Sequence, residues 1–136
     1  MTSGPVRFPP FPIRGVRVRH QKQNCAPHFA EIEVDFEPAA EGFVFEVARE
    51  LSVEPPSAGD LSRFVTAAAR GIEEQLTSPD HGYRVVVATR VVLRHVRAHA
   101  SDSHELAFRI AGYLAARKAL ERAGGHGSAA GLSPTP

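Results

Sequence analysis

The sequence predicts one α+β domain of order β-β-β-α-β-α, a four-stranded mixed sheet with two helices packed on one face. Three observations lead there. "IRGVRVRH" and "FAEIEVDFEP" alternate apolar and polar residues, as half-buried strands do. Two later stretches place apolar residues at helical spacing. Between those helices, "YRVVVATRVVLRHV" is long and rich in Val, the signature of a central strand. With 136 residues, 43% of them hydrophobic and 23% charged, the chain suits one soluble domain whose core needs no disulfide staples.

Residues 1–12, "MTSGPVRFPPFP", read as an extended leader. They lack the apolar segment of a signal peptide, and no run in the chain is long enough to span a membrane, so a cytoplasmic protein is expected. The single cysteine, Cys25, excludes an internal disulfide and agrees with a reducing compartment. Net charge is only +1, but the charges come in blocks: Arg7, Arg14, Arg17, Arg19 and Lys22 all precede the first carboxylate, Glu31. A hairpin centred near Cys25 would set Arg17 opposite Glu33 and Arg19 opposite Glu31, with Val16, Val18, Ile32, Val34 and Phe36 facing the core. The basic first strand is then a paired, solvated face, and the loop "QKQNCAPH" is what the pairing leaves over.

"EGFVFEVA" is the third strand and "LSVEPPSAG" a proline-rich loop. Asp60 is a suitable N-cap for a helix carrying Leu61, Phe64, Val65, Ala68, Ile72 and Leu76, which "TSPDHG" stops. After the central strand, Asp102, Ser103 and Glu105 predict a capping box for the last helix, with Leu106, Ile110, Tyr113, Leu114 and Leu120 as its buried stripe. "AGGHG" is expected to end that helix, leaving the ordered domain at 13–122 and a disordered tail at 123–136.

The crowded stretch "HVRAHASDSHELAFRIAG" invites a metal reading through His95, His99 and His104, joined by Cys25 and His28. Zinc requires four converging donors, and Cys-x-x-His finds no second compact ligand pair here, so no metal or other cofactor is expected. Cys25 with a histidine, or Ser101 and Ser103, lack the surroundings of an activated nucleophile. Neither GxxxxGK[ST] nor GxGxxG occurs, so nucleotide hydrolysis is not expected. What remains is a basic end made of the hairpin loop (His20, Lys22, Asn24, His28) and the strand-to-helix loop (Arg94, His95, Arg97, His99). Those side chains suit phosphate and base-edge contacts.

In order and spacing, "RHQKQNCAPHFAEIEVDFEP", "GFVFEV", "FVTAAARGIEEQL", "GYRVVVATRVVL" and "HASDSHELAFRIAG" resemble the fourth domain of elongation factor G, from about Ile13 to Arg122. "RGIEEQL" and "SDSHELAFRIAG" are the most specific parts. The resemblance implies a left-handed βαβ crossover, against the usual hand. It also implies a non-enzymatic domain whose two-loop tip enters the decoding region of the small ribosomal subunit, or binds another structured RNA. His99 matches the family's tip histidine, followed by the matching Asp102 and Ser103. The expected contacts are Lys22, Asn24, His28, Arg97 and His99. Where the family has a glycine-rich loop, "NCAPH" has none, and Pro27 stiffens it. The GTPase of the whole factor is not among these residues, so nucleotide-driven translocation is not expected of the chain by itself. The alternative is a protein–protein module docking on a translation factor. A third reading, a metal or thiol site at Cys25, His28 and His99, is one that elemental analysis decides.

Overall fold

The computed structural model describes residues 6–23, 26–56, 60–77 and 85–132, with side chains of the last stretch described as far as Gly124. Five strands and two helices follow one another as β1 (Val6–Phe8), β2 (Ile13–Lys22), β3 (His28–Pro38), β4 (Gly42–Glu54), α1 (Leu61–Thr77), β5 (Val85–Arg97) and α2 (Glu105–Leu132). The architecture is the predicted α+β mixed sheet with one strand more. β5 is its axis: it pairs antiparallel with β3 and parallel with both β4 and β1. β2 pairs antiparallel with β3, and α1 makes the crossover between the parallel strands β4 and β5.

The hairpin takes the expected register, Arg17 opposite Glu33 and Arg19 opposite Glu31. Near its open end Gly15 adopts φ 67°, a conformation glycine reaches without steric cost, and the pairing shifts between Ile13 and Val16. Val16, Ile32, Val34, Phe36, Val91 and Leu93 line the buried face against the helices.

Four expectations change. The fifth strand lies in the segment read as a leader: Val6–Phe8 pairs with Val85–Val87, and Phe8 is buried edge-on against Phe36, with centroids 5.7 Å apart. Three residues gave too short a pattern to show a period, but β5 runs past β3 and β4 and leaves its first residues to pair. Second, β4 continues through "LSVE", which was read as loop. Ala48, Arg49, Glu50 and Leu51 stand opposite Arg94 alone, and that irregularity breaks the alternation on which the strand prediction relied. Third, the backbone of α2 stays helical through the glycines to Leu132, into the tail expected to be disordered. Glycine costs about 1 kcal/mol per position relative to alanine but does not forbid helix, and the next proline is Pro134. Fourth, the buried stripe of α2 is rotated. Ala107, Phe108, Ala111, Ala115, Ala116 and Ala119 are buried, whereas Leu106 is 52% exposed and Ile110, Tyr113 and Leu114 lie at the flanks.

The rotation has a steric cause. A Cβ on Gly71 would run into the carbonyl oxygen of Arg109, and one on Gly112 into that of Ala68. The two helices therefore approach through reciprocal glycines, and only small residues fit around the crossing. Phe64 and Phe108 stack beside it with centroids 4.5 Å apart, and Arg109 is paired to Glu74 across the helices. Gly71→Ala or Gly112→Ala is expected to destabilise the domain by about 2–3 kcal/mol, since backbone must move to admit the methyl, and chemical denaturation measures the loss. Gln75 is fully buried on α1, and neither polar atom of its amide has a hydrogen-bond partner among the described residues. Gln75→Leu is therefore expected to stabilise the fold by about 1–2 kcal/mol in the same measurement.

Candidate nucleic-acid interface

Strand direction brings the β2–β3 loop and the turn 98–104 to one end of the sheet. Lys22 pairs with His28 at the end of the hairpin, and Glu31 with Arg97 at the end of β5. Because β4 runs parallel to β5, the segment after Glu54 begins at this end too. Ala98 N donates to the Glu54 carbonyl at 2.8 Å.

The two loops are tied by Phe29 and Ser103. Phe29 N donates to the Asp102 carbonyl at 3.0 Å, and the Ser103 hydroxyl donates to the Phe29 carbonyl at 2.7 Å. The same hydroxyl accepts from His99 N at 2.7 Å, and Ser103 N donates to the His99 carbonyl at 3.1 Å. His99 is thus held at the apex of a closed turn, its exposed ring 6.2 Å from that of Phe29 and its Nδ1 3.7 Å from Asp102.

These bonds displace the predicted capping box. α2 begins at Glu105, and His104 occupies the cap: its Nδ1 accepts from Ala107 N at 3.3 Å. An imidazole nitrogen reaches the free N–H groups that a carboxylate or hydroxyl usually serves. Asp102 and Ser103 close the turn instead, and Glu105 accepts from Arg63 of α1 at 2.8 Å. The Asp-Ser-His-Glu string looks the same in either arrangement, so sequence pattern could not separate them.

The cations sort sharply. Arg17 reaches Glu31 and Glu33 at 2.8 Å each, and Arg19 reaches Glu31 at 3.0 Å, so the basic first strand is spent on its neighbour. Arg94 and His95 were expected in the loop, but β5 carries them on the sheet. Arg94 holds Asp35 at 2.6 Å. His95, 8% exposed, bridges the Glu31 carboxylate and the Ser52 hydroxyl at 3.0 Å each. Glu31 is itself only 4% exposed. Burial acts to raise its pKa, yet the hydrogen bonds from Arg19 and His95 hold it below the usual carboxylate range. With its charge engaged by two guanidiniums, the Ser52–His95–Glu31 chain fastens β4 and β3 to β5.

Of the expected contact residues, Lys22 is exposed and makes no ion pair among the described residues. Arg97 sits over the Phe29 ring at 5.9 Å, with Glu54 at 3.8 Å. His28 is half-buried, accepting or donating a hydrogen bond with His20 at 3.0 Å and lying edge-on to His104. Asn24, and Cys25 with it, lie outside the described residues. Among the described residues no group of three His, Cys, Asp or Glu side chains is placed to hold a metal ion. His104 belongs to this surface although it was not expected there, and His20, expected at the basic end, joins it although it was not among the chosen contacts. The signal was available, since each lies within a few positions of a chosen residue, but their meeting is tertiary.

Residues 11–124 match the family model for elongation factor G, domain IV. The chain belongs to that family. An elongation factor G-like protein of Mycobacterium tuberculosis (strain CDC 1551 / Oshkosh) is 32% identical over 103 residues, 74% of this chain and 14% of the relative. Elongation factor G 2 of Streptomyces coelicolor is 33% identical over 122 residues, 82% of this chain and 17% of the relative. A crystal structure from Thermus thermophilus shares the fold, with TM-score 0.67 and 23% identity over 83% of this chain and 16% of that one. The chain therefore spans about a sixth of the length of the proteins it matches. No helix among the described residues is long and apolar enough to cross a membrane.

In this elongation factor G domain IV fold, the Ser103 hydroxyl is the side-chain link between the two tip loops, beside the backbone bond from Phe29 to Asp102. Ser103→Ala is expected to cost about 1–3 kcal/mol by leaving the His99 amide and the Phe29 carbonyl without their partner. Amide hydrogen exchange should show faster exchange at His99 than in the wild type, with the β3–β5 core unchanged.

Proposed function

We propose that this domain is a non-enzymatic, RNA-binding element of translation in the cytoplasm, whose tip contacts the decoding region of the small ribosomal subunit. Family membership supports the translational setting. The carrying observation is the tip itself: the Phe29–Asp102–Ser103 bonds lock two loops together, and that rigid end presents His99, Lys22 and Arg97. A rigid tip loses little conformational freedom on binding, and an exposed ammonium and guanidinium suit phosphate oxygens. His28 and Asn24 complete the contact set in this reading. The paired arginines of β2 are left out of it, because their carboxylate partners already occupy them.

The test is co-sedimentation with purified small ribosomal subunits over a range of salt. Lys22→Glu combined with Arg97→Gln is expected to weaken binding roughly tenfold near physiological salt and to reduce the salt slope by about two, one for each lost phosphate contact. Unchanged affinity and slope in a variant that melts like the wild type would exclude the tip as the contact surface. Any requirement for a partner chain carrying a GTPase shows in the same assay, as subunit binding that appears only when the partner is added.

A further inference from the structure

Three histidines from three parts of the chain meet beside Lys22. Nε2 of His20 on β2 lies 3.0 Å from Nδ1 of His28 on β3, and the two rings meet edge-on at 5.1 Å. The His28 ring meets that of His104, at the start of α2, at 4.5 Å. A bond between two imidazole nitrogens requires one donor and one bare acceptor, so the pair as arranged accommodates at most one added proton. A second proton turns both nitrogens into donors and breaks the bond.

We propose that His20, His28 and His104 form a proton-linked phosphate site, in which a phosphodiester oxygen entering beside Lys22 draws protons onto the His20–His28 pair and takes over as their common acceptor. This rests on the reading of the tip as an RNA-binding surface and adds a pH dependence to it. The charge environment supports it. Burial, His28, Lys22 and His104 all hold His20 below the ordinary imidazole value, and burial, His104 and Lys22 do the same to His28. The carboxylates of the surrounding elements are engaged elsewhere: Glu31 of β3 by Arg17, Arg19 and His95, Glu105 of α2 by Arg63, and Asp102 beside His99. The cluster therefore gathers basic groups without a neutralising anion among the described residues, and a phosphate would supply one.

The sign follows directly. Both folded-state pKa values are lowered, so the free protein gains stability from the neutral rings above about pH 6.5 and loses it as pH falls through the lowered values. A bound phosphate reverses that preference, so affinity should rise as pH falls, by up to about tenfold per pH unit for each proton taken up.

The experiment is an NMR titration of the histidine rings in the full chain, alone and with inorganic phosphate, together with small-subunit binding at about pH 7.5 and about pH 6.0. Phosphate is expected to raise the midpoints of His20 and His28 by about one pH unit, and subunit affinity is expected to rise about tenfold over that interval. His20→Phe, which keeps the ring contact but cannot be protonated, should hold the rise below about twofold. Midpoints that stay in place at saturating phosphate overturn the site, even if subunits bind. Raised midpoints without any subunit binding uphold the phosphate site and overturn the ribosomal reading instead.

Discussion

The hairpin register is the constraint on which the rest depends. Side chains in a strand alternate faces, so a slip of one residue between β2 and β3 would exchange the core with the solvent face. Arg17 and Arg19 oppose such a slip by reaching Glu31 and Glu33, while Val16, Val18, Ile32 and Val34 hold the alignment from the other side. The Arg17–Glu33 pair lies at the surface, where such pairs contribute only about 0.2–1 kcal/mol, and both arginines reach the buried Glu31 from the solvent side, so the apolar face supplies most of the energy and the charges select the alignment. That alignment places His20 beside His28 and Lys22 at the end of the hairpin.

β5 extends the same logic across the sheet. Its register with β3 sets Arg97 opposite Glu31, and a shift beside Arg94 sends that side chain to Asp35. His95 then meets Glu31 and Ser52, so three strands share one buried carboxylate. Removing that carboxylate would leave His95 with Ser52 alone, Arg17 with Glu33 alone and Arg19 without an ion-pair partner among the described residues, which makes Glu31 a greater structural liability than any exposed charge. The consequence for function is subtraction: Arg94 and His95 looked available and are consumed by the sheet, as Arg17 and Arg19 were expected to be, which leaves Lys22 and Arg97 as the exposed cations of this end.

The helical layer carries the second constraint. Gly71 and Gly112 let α1 and α2 meet backbone to backbone, and the alanines of α2 follow from that closeness. The approach also brings Arg63 to Glu105, which holds the start of α2 and with it His104. Core packing and tip geometry are thus joined through the beginning of one helix.

The element order from β2 to α2, the hairpin register and the residues pointing into the sheet core were legible in the sequence, because each rests on short-range periodicity. Family likeness was legible too, in "RGIEEQL" and "SDSHELAFRIAG", and the structure shows that these motifs carry the two glycines of the helix crossing. The β1 pairing, the long irregular β4 and the rotated face of α2 were not legible, since each is decided by what lies across from it. The same holds at the tip. Composition determined that this end would be rich in histidine and arginine. Only the tertiary structure decided that Arg94 and His95 belong to the sheet, that His104 rather than Asp102 caps α2, and that Ser103 fastens His99 to Phe29. Ser103 finds its partner 74 positions away and Arg122 finds one 108 positions away, and local pattern holds no record of either.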